Sequence, residues 1–385
     1  MNVQSLRRGL ADARRLVVKV GTQVLVGRDG RPDLERISTL VEQIAALRRD
    51  QQRDVVLVSS GAIGAGLEAL RLNRRPKTLP GLQMAAAVGQ SRLMATYDRL
   101  FGERGCTVGQ ILLTHDDLKH RVRHLNARNA MMQLMRSGVV PVVNENDAVS
   151  VDEIRFGDND QLASLVSMLI DAELLVLLTT TDGFRAPISD KNRRTKRVPY
   201  LPAVTDVELQ QVWTKKSELS TGGMQSKLQA AQAAADVGVN VVIADGRRAD
   251  VITEILAGKD VGTLIGAADQ GSAPRVRSRK RWIGYFQRTQ GALLVDDGAR
   301  RALCERKKSL LPAGVRQVQG RFDVGAVVSI KDPGGKAFAR GLVEYSSDDI
   351  ETIKGHRSSE IVKLLDGKPY DSDEVIHRDN MVVFD

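Results

Sequence analysis

What most limits the fold of this chain is a repeated pairing of two patterns. Short, nearly continuous apolar runs occur at residues 16–20, 55–58, 108–113, 139–143, 174–178 and 239–244. Between them lie stretches of helical period, as in Leu34, Ile37, Leu40, Val41, Ile44 and Leu47. A strand without polar alternation has to be covered on both faces. Such strands alternating with helices predict a three-layer α/β/α fold around a mostly parallel sheet.

The run ending at Val143 leads into Asn144 to Leu162, which holds two polar knots, N-E-N-D at 144–147 and G-D-N-D at 157–160. The alternating piece between them, Val149 to Phe156, reads as a short hairpin. A helical period follows from Leu162. Carboxylates and amides at the carboxyl end of a parallel strand stand where open α/β sheets bind ligands. An Asp or Asn before a helix is also an ordinary N-cap. Capping explains one such residue more easily than two dense knots.

Lys19 interrupts the first apolar run and is followed at once by Gly21. It reads equally as a phosphate-binding cation or as an edge-strand lysine. The second strand ends in Ser59-Ser60-Gly61-Ala62-Ile63-Gly64-Ala65-Gly66, a strand–glycine–helix turn that suits an anion but does not match a P-loop. Thr221-Gly222-Gly223-Met224-Gln225-Ser226-Lys227 opens an alanine-rich helix with bare amides and one cation. Residues 184–200 are basic and turn-rich, and read as an exposed loop or hairpin.

Composition removes several classes. Two cysteines far apart, Cys106 and Cys304, argue against a disulfide scaffold and for a reducing compartment. His120 and His124 stand four apart between arginines with no intervening glutamate, which disfavours zinc. No secretory signal and no membrane-length apolar run is visible, so a cytoplasmic protein is expected. The net charge of +10 is spread along the chain, as on a solvated basic surface or a binder of small anions. From Ala267 to Arg281 the composition turns to Gln, Gly, Ser, Pro and basic residues. Boundaries are therefore expected at 1–270 for the first domain, 271–281 for a linker and 282–385 for a small β-rich domain.

Together the motifs resemble the glutamate 5-kinase branch of the amino acid kinases, in its long bacterial form. The residues that carry the resemblance are V-V-K-V-G-T at 17–22, V-S-S-G-A-I-G-A-G at 58–66, A-V-G-Q-S-R-L at 87–93 and L-N-A-R at 125–128. They continue with V-N-E-N-D-A-V at 143–149, G-D-N-D at 157–160 and T-G-G-M-x-x-K-L-Q-A-A at 221–231. The tail from about Lys280 resembles a PUA domain, a module common in RNA-modifying enzymes.

The resemblance implies transfer of a phosphoryl group from ATP to the γ-carboxylate of L-glutamate, the first step of proline synthesis, with Mg²⁺ on the phosphates. It implies that Lys19 and Lys227 contact the moving phosphoryl group and that Asp158 orients them. It puts Ser60, Asp147 and Asn159 on glutamate, with Asn144 beside them. Nucleotide contacts fall to Lys19, Thr179, Thr180 and the segment Thr221, Gly222, Gly223, Met224, Gln225, Ser226 and Lys227. The usual aspartate after the threonine is replaced by Thr180, and the first acid comes at Asp182. A homo-oligomer, proline as feedback inhibitor and glutamyl-phosphate reductase as a downstream partner are further implications. The alternatives are a sister kinase acting on aspartate, acetylglutamate, carbamate or a nucleotide, and an RNA-binding or regulatory protein working through the basic tail. The tail's modest basic excess and lack of an aromatic stacking strip weigh against RNA.

Overall fold

The computed structural model describes residues 2–27, 31–72, 74–119, 121–149, 159–189, 192–211, 223–266, 289–365 and 373–384. The chain divides into two compact units, Met1–Arg275 and Val276–Asp385. The expected linker and the expected hairpin from residue 150 to Phe156 lie outside the described residues.

In the first unit the strands are β1 Arg15–Val20, β2 Asp54–Val58, β3 Val108–Leu113, β4 Val140–Glu145 and β5 Leu174–Thr179. They continue with β6 Arg185–Ser189, β7 Asn192–Arg197, β8 Tyr200–Leu201, β9 Asn240–Asp245 and β10 Thr263–Ile265. Eight of them form one sheet in the order β3-β4-β2-β1-β5-β9-β10-β8. The pairings from β3 through β9 are parallel, and β10 runs antiparallel to β9. The basic stretch forms the separate antiparallel hairpin β6–β7.

The helices are α1 Val3–Gly9, α2 Thr22–Leu25, α3 Leu34–Arg49, α4 Ala62–Ala69, α5 Leu79–Gly102, α6 His115–Lys119 and α7 Arg121–Arg136. After them come α8 Asn159–Leu169, α9 Asp206–Gln211, α10 Met224–Ala235 and α11 Val251–Leu256. Local chemistry sets their ends. The Asp33 carboxylate accepts from Arg36 N at 3.2 Å and caps α3. A proline in the first turn starts α5. Helix α8 begins at Asn159, ahead of the apolar period that starts at Leu162, so the last two residues of the second knot lie inside its first turn.

The period-2 alternation of strands sorts the core into two faces. Leu16, Val18 and Val20 of β1 and Leu174, Val176 and Leu178 of β5 join Ile37, Tyr97 and Ile255 in one core cluster. Val17, Leu175 and Leu177 are fully buried on the other face, where α8 packs on β1 and β5 and α10 packs on β9. Lys19 shares the parity of Val17, so its side chain leaves β1 toward α8.

Helices α4 and α5 touch backbone to backbone. A Cβ on Gly66 would stand 1.8 Å from the Ala85 carbonyl oxygen, and one on Gly89 would stand 1.7 Å from that of Ala62. No side chain fits at either crossing. At the far edge, the buried Arg7 guanidinium donates to the carbonyls of Val261 at 2.7 Å, Pro199 at 2.8 Å and Gly262 at 2.9 Å. It thereby ties α1 to the segment entering β10.

The second unit holds β11 Gly291–Val295, α12 Asp297–Cys304, β12 Val315–Gln319, β13 Val327–Lys331, β14 Ala337–Leu342 and β15 Met381–Val383. Its strands form a five-stranded sheet in the order β12-β11-β13-β14-β15. A separate core with Leu293, Val328, Ile330, Ile350 and Ile376 supports it. Strand β12 has mostly polar and partly exposed residues, which is why no strand is read there from sequence.

Candidate active site

Because β4, β2, β1, β5 and β9 are parallel neighbours, their carboxyl ends open on one edge. Strand order reverses at β1, which has β2 on one side and β5 on the other. Open α/β sheets bind ligands in the crevice at such a reversal. Lys19 is the penultimate residue of β1.

Lys19 Nζ pairs with Asp160 Oδ1, and Lys227 Nζ donates to Asp160 Oδ2 at 2.9 Å. The three groups are enclosed, at 5%, 6% and 0% exposure for Lys19, Lys227 and Asp160. Each comes from a different element: Lys19 from β1, Asp160 from the first turn of α8, Lys227 from the first turn of α10. Burial pushes the Asp160 carboxyl up, but the charges and hydrogen bonds of the two lysines together hold it below the ordinary carboxylate range. The shared carboxylate holds two ammoniums together in an enclosed site. Ser226 Oγ lies 3.4 Å from Asp160 Oδ2.

Among the described residues the carboxylate that joins the lysines is Asp160, which the sequence reading does not single out. Asp158, the residue assigned that place by resemblance, lies outside the described residues. A signal for Asp160 exists in the helix. Residues 160, 164 and 167 recur at helical period, and Asp160, Ser164 and Ser167 are all buried.

A second cluster joins β2, β4 and α8. The two protons of the Asn159 amide nitrogen are shared among three acceptors, the Ser59 carbonyl at 2.9 Å, Ser60 Oγ at 2.9 Å and Asn144 Oδ1 at 3.0 Å. Asn144 in turn donates to Gln90 Oε1 at 2.8 Å. Ser60, Asn144 and Asn159 therefore meet, as expected. Asp147 sits half-buried in the turn after β4. Gly61 follows Ser60 at φ +104°, a left-handed conformation that glycine adopts without strain, and it starts α4 without a side-chain cap.

On the other side of β1, Thr179 ends β5 in register with Asp245 of β9. Arg247 donates to the Thr180 carbonyl at 2.8 Å and to both oxygens of Asp245. Burial pushes the Asp245 carboxyl up, but its hydrogen bonds with Arg247 hold it below the usual range. Asp182 pairs with Arg185 at the surface at 2.7 Å. Neither Asp245 nor Arg247 is marked by a sequence motif. Gly223 starts α10 with no side-chain cap, which leaves its first amides to an anion. Met224, Gln225 and Ser226 are partly buried in that turn, while Thr221 and Gly222 lie outside the described residues.

Residues 14–245 match the amino acid kinase family, and residues 291–365 match the PUA domain. The chain is 46% identical over 388 residues to the glutamate 5-kinase of Moorella thermoacetica, covering 100% of both chains. It is 48% identical over 372 residues to the glutamate 5-kinase of Gloeobacter violaceus, covering 95% of this chain and 98% of that one. Among solved structures, UMP kinase from Bacillus anthracis aligns with a TM-score of 0.44 at 13% identity, over 67% of this chain and 97% of that one.

Proposed function

The chain belongs to the amino acid kinase family, in its glutamate 5-kinase branch, and we propose that it moves the γ-phosphoryl group of ATP to the γ-carboxylate of glutamate across the Lys19–Asp160–Lys227 centre. The observation that carries this reading is the shared carboxylate. Phosphoryl transfer to a carboxylate brings two anions together, so positive charge and position are what the protein has to supply. Lys19 and Lys227 stabilise charge on the transferring oxygens, and Asp160 keeps both ammoniums aimed. The bare amides at the start of α10 take the nucleotide phosphates. The acceptor carboxylate is already ionised at neutral pH, so no general base is needed.

Ser60, Asn144, Asp147 and Asn159 form the glutamate subsite. Asn159 Oδ1 is buried and, among the described residues, has no hydrogen-bond partner. An ammonium donor such as that of the amino acid would satisfy it. Among the described residues no group of three His, Cys, Asp or Glu side chains is placed to hold a metal, and Asp160 is committed to the lysines. Mg²⁺, as a partner of the nucleotide, would be held largely by its phosphates and water, where it would neutralise phosphate charge. Feedback by proline and consumption of the labile acyl phosphate by a reductase belong to the same reading.

Trapping with hydroxylamine tests it. ATP-dependent hydroxamate should form with glutamate and far less with aspartate or acetylglutamate. Equal or greater turnover of either rival acceptor overturns the substrate assignment.

A further inference from the structure

Helix α5 carries no residue of the proposed transfer centre, yet it reaches the glutamate subsite twice. Gln90 and Tyr97 are seven residues apart, two helical turns, and so lie on one face of α5. Gln90 Oε1 accepts from Asn144 at 2.8 Å, and Asn144 accepts from Asn159. The Tyr97 hydroxyl lies 2.8 Å from Ser59 Oγ. The Ser59 hydroxyl has one proton, and it donates that proton to the Ser60 carbonyl at 3.1 Å. With that proton on the Ser60 carbonyl, Tyr97 donates to Ser59. The Ser59 carbonyl accepts from Asn159, so one short turn is held at its hydroxyl from one side and at its backbone from the other.

The ring of Tyr97 is fully buried, with Phe101 at 6.3 Å between centroids. Burial pushes its phenol up to about 12, so it remains a protonated donor across the neutral range. The level of α5 against this turn is fixed by the Gly89–Ala62 and Gly66–Ala85 contacts, which leave no room for sliding. A phenol in an apolar core could have been a phenylalanine at no loss of packing. Its hydroxyl goes to the residue before Ser60.

We propose that Tyr97 and Gln90 are positioning residues for the acceptor, holding Ser60 and Asn159 at their spacing through Ser59 and Asn144. This rests on the reading of Ser60 and Asn159 as glutamate ligands. Tyr97 acts without touching substrate, so its loss should raise the KM for glutamate and spare the KM for ATP.

The test is steady-state kinetics and melting temperature for Tyr97→Phe, Ser59→Ala, the double variant and Gln90→Leu, with Ser60→Ala and Asn159→Ala as references. Tyr97→Phe should raise the glutamate KM on the order of tenfold, the worth of one buried hydrogen bond, with the ATP KM within about twofold. Ser59→Ala removes the same bond together with that to the Ser60 carbonyl, with little change in volume, and should raise the glutamate KM at least as much, and the double variant should be no worse than the larger single. A lowered melting temperature with no split between the two KM values overturns the proposal and makes Tyr97 a packing residue. If Ser60→Ala and Asn159→Ala raise the glutamate KM while Tyr97→Phe and Ser59→Ala do not, the positioning claim fails alone. If Ser60→Ala and Asn159→Ala leave it unchanged, the acceptor subsite itself is misassigned and the inference falls with it.

Discussion

Lys19 and Lys227 stand on opposite oxygens of a single buried carboxylate, Lys19 on Oδ1 and Lys227 on Oδ2 of Asp160. Neither ammonium can shift without changing the balance of charge on the other. That mutual dependence makes the site's energetics readable by substitution.

Lys19→Ala and Lys227→Ala should each lower kcat on the order of 10²–10³-fold, as for other single contacts to developing transition-state charge. Arginine should rescue poorly, because a planar fork does not replace a compact ammonium. The double variant should lose less than the product of the two single losses. Single-turnover rates decide it, and near-normal chemistry in a folded single variant would remove that lysine from the centre.

Asp160 carries a prediction in pH. Its carboxyl is held below the ordinary range in the folded chain. The stability it contributes is fully present above the unfolded carboxyl value, about 4, and is lost as pH falls through the lower folded one. Asp160→Asn should cost about 3–5 kcal/mol at neutral pH, because two buried ammoniums lose the carboxylate they share. Below about pH 4 its denaturant midpoint should fall less steeply with acid than that of the unaltered chain. Parallel acid limbs in the two proteins would show that Asp160 does not sense both lysines.

Gly89→Ala places a methyl group against the Ala62 carbonyl. Overpacking of this kind typically costs about 1–3 kcal/mol. Ala62 lies two residues after Ser60, so the shift should also raise the KM for glutamate. Urea denaturation and kinetics on the same sample check both, and full stability together with an unchanged KM would mean the helices part without disturbing the turn.

A chain ending at Arg275 should fold and retain transfer activity, because the eight-stranded sheet is complete by Ile265 and the first unit has its own core. Cooperative unfolding and hydroxamate formation would be measured. An insoluble or inactive product would show that the second unit is required for the first.

The sheet was legible because its central strands are apolar throughout, which leaves one architecture open to them. Lys19 was visible for the same reason, as a charge where none belongs. Asp160 was harder to see, since the polar first turn of α8 hides where that helix begins. With the start placed at Leu162, the residue reads as part of a loop. Tyr97 looks like an ordinary helix residue and Gln90 is visible only as part of the motif at 87–93; what they do depends on Ser59 and Asn144, which are distant in sequence and adjacent only once β2 and β4 pair. Strand β12 shows no apolar run because part of it faces water, and its place is set by pairing with β11.

The central position of β1 has a consequence for the chain as it is made. This strand precedes both of its neighbours, β2 and β5, in the sequence. At synthesis rates of about 5–20 residues per second, β5 follows on the order of ten seconds later. During that interval the side of β1 that β5 will cover has no strand partner, a state in which exposed strands recruit other chains. Lys19 lies in the paired stretch, in register with Leu177 of β5, with its side chain on the face that α8 covers. A charge in an otherwise apolar strand disfavours pairing with a wrong partner, so the lysine proposed here for phosphoryl transfer would also serve as a guard while β1 waits for β5.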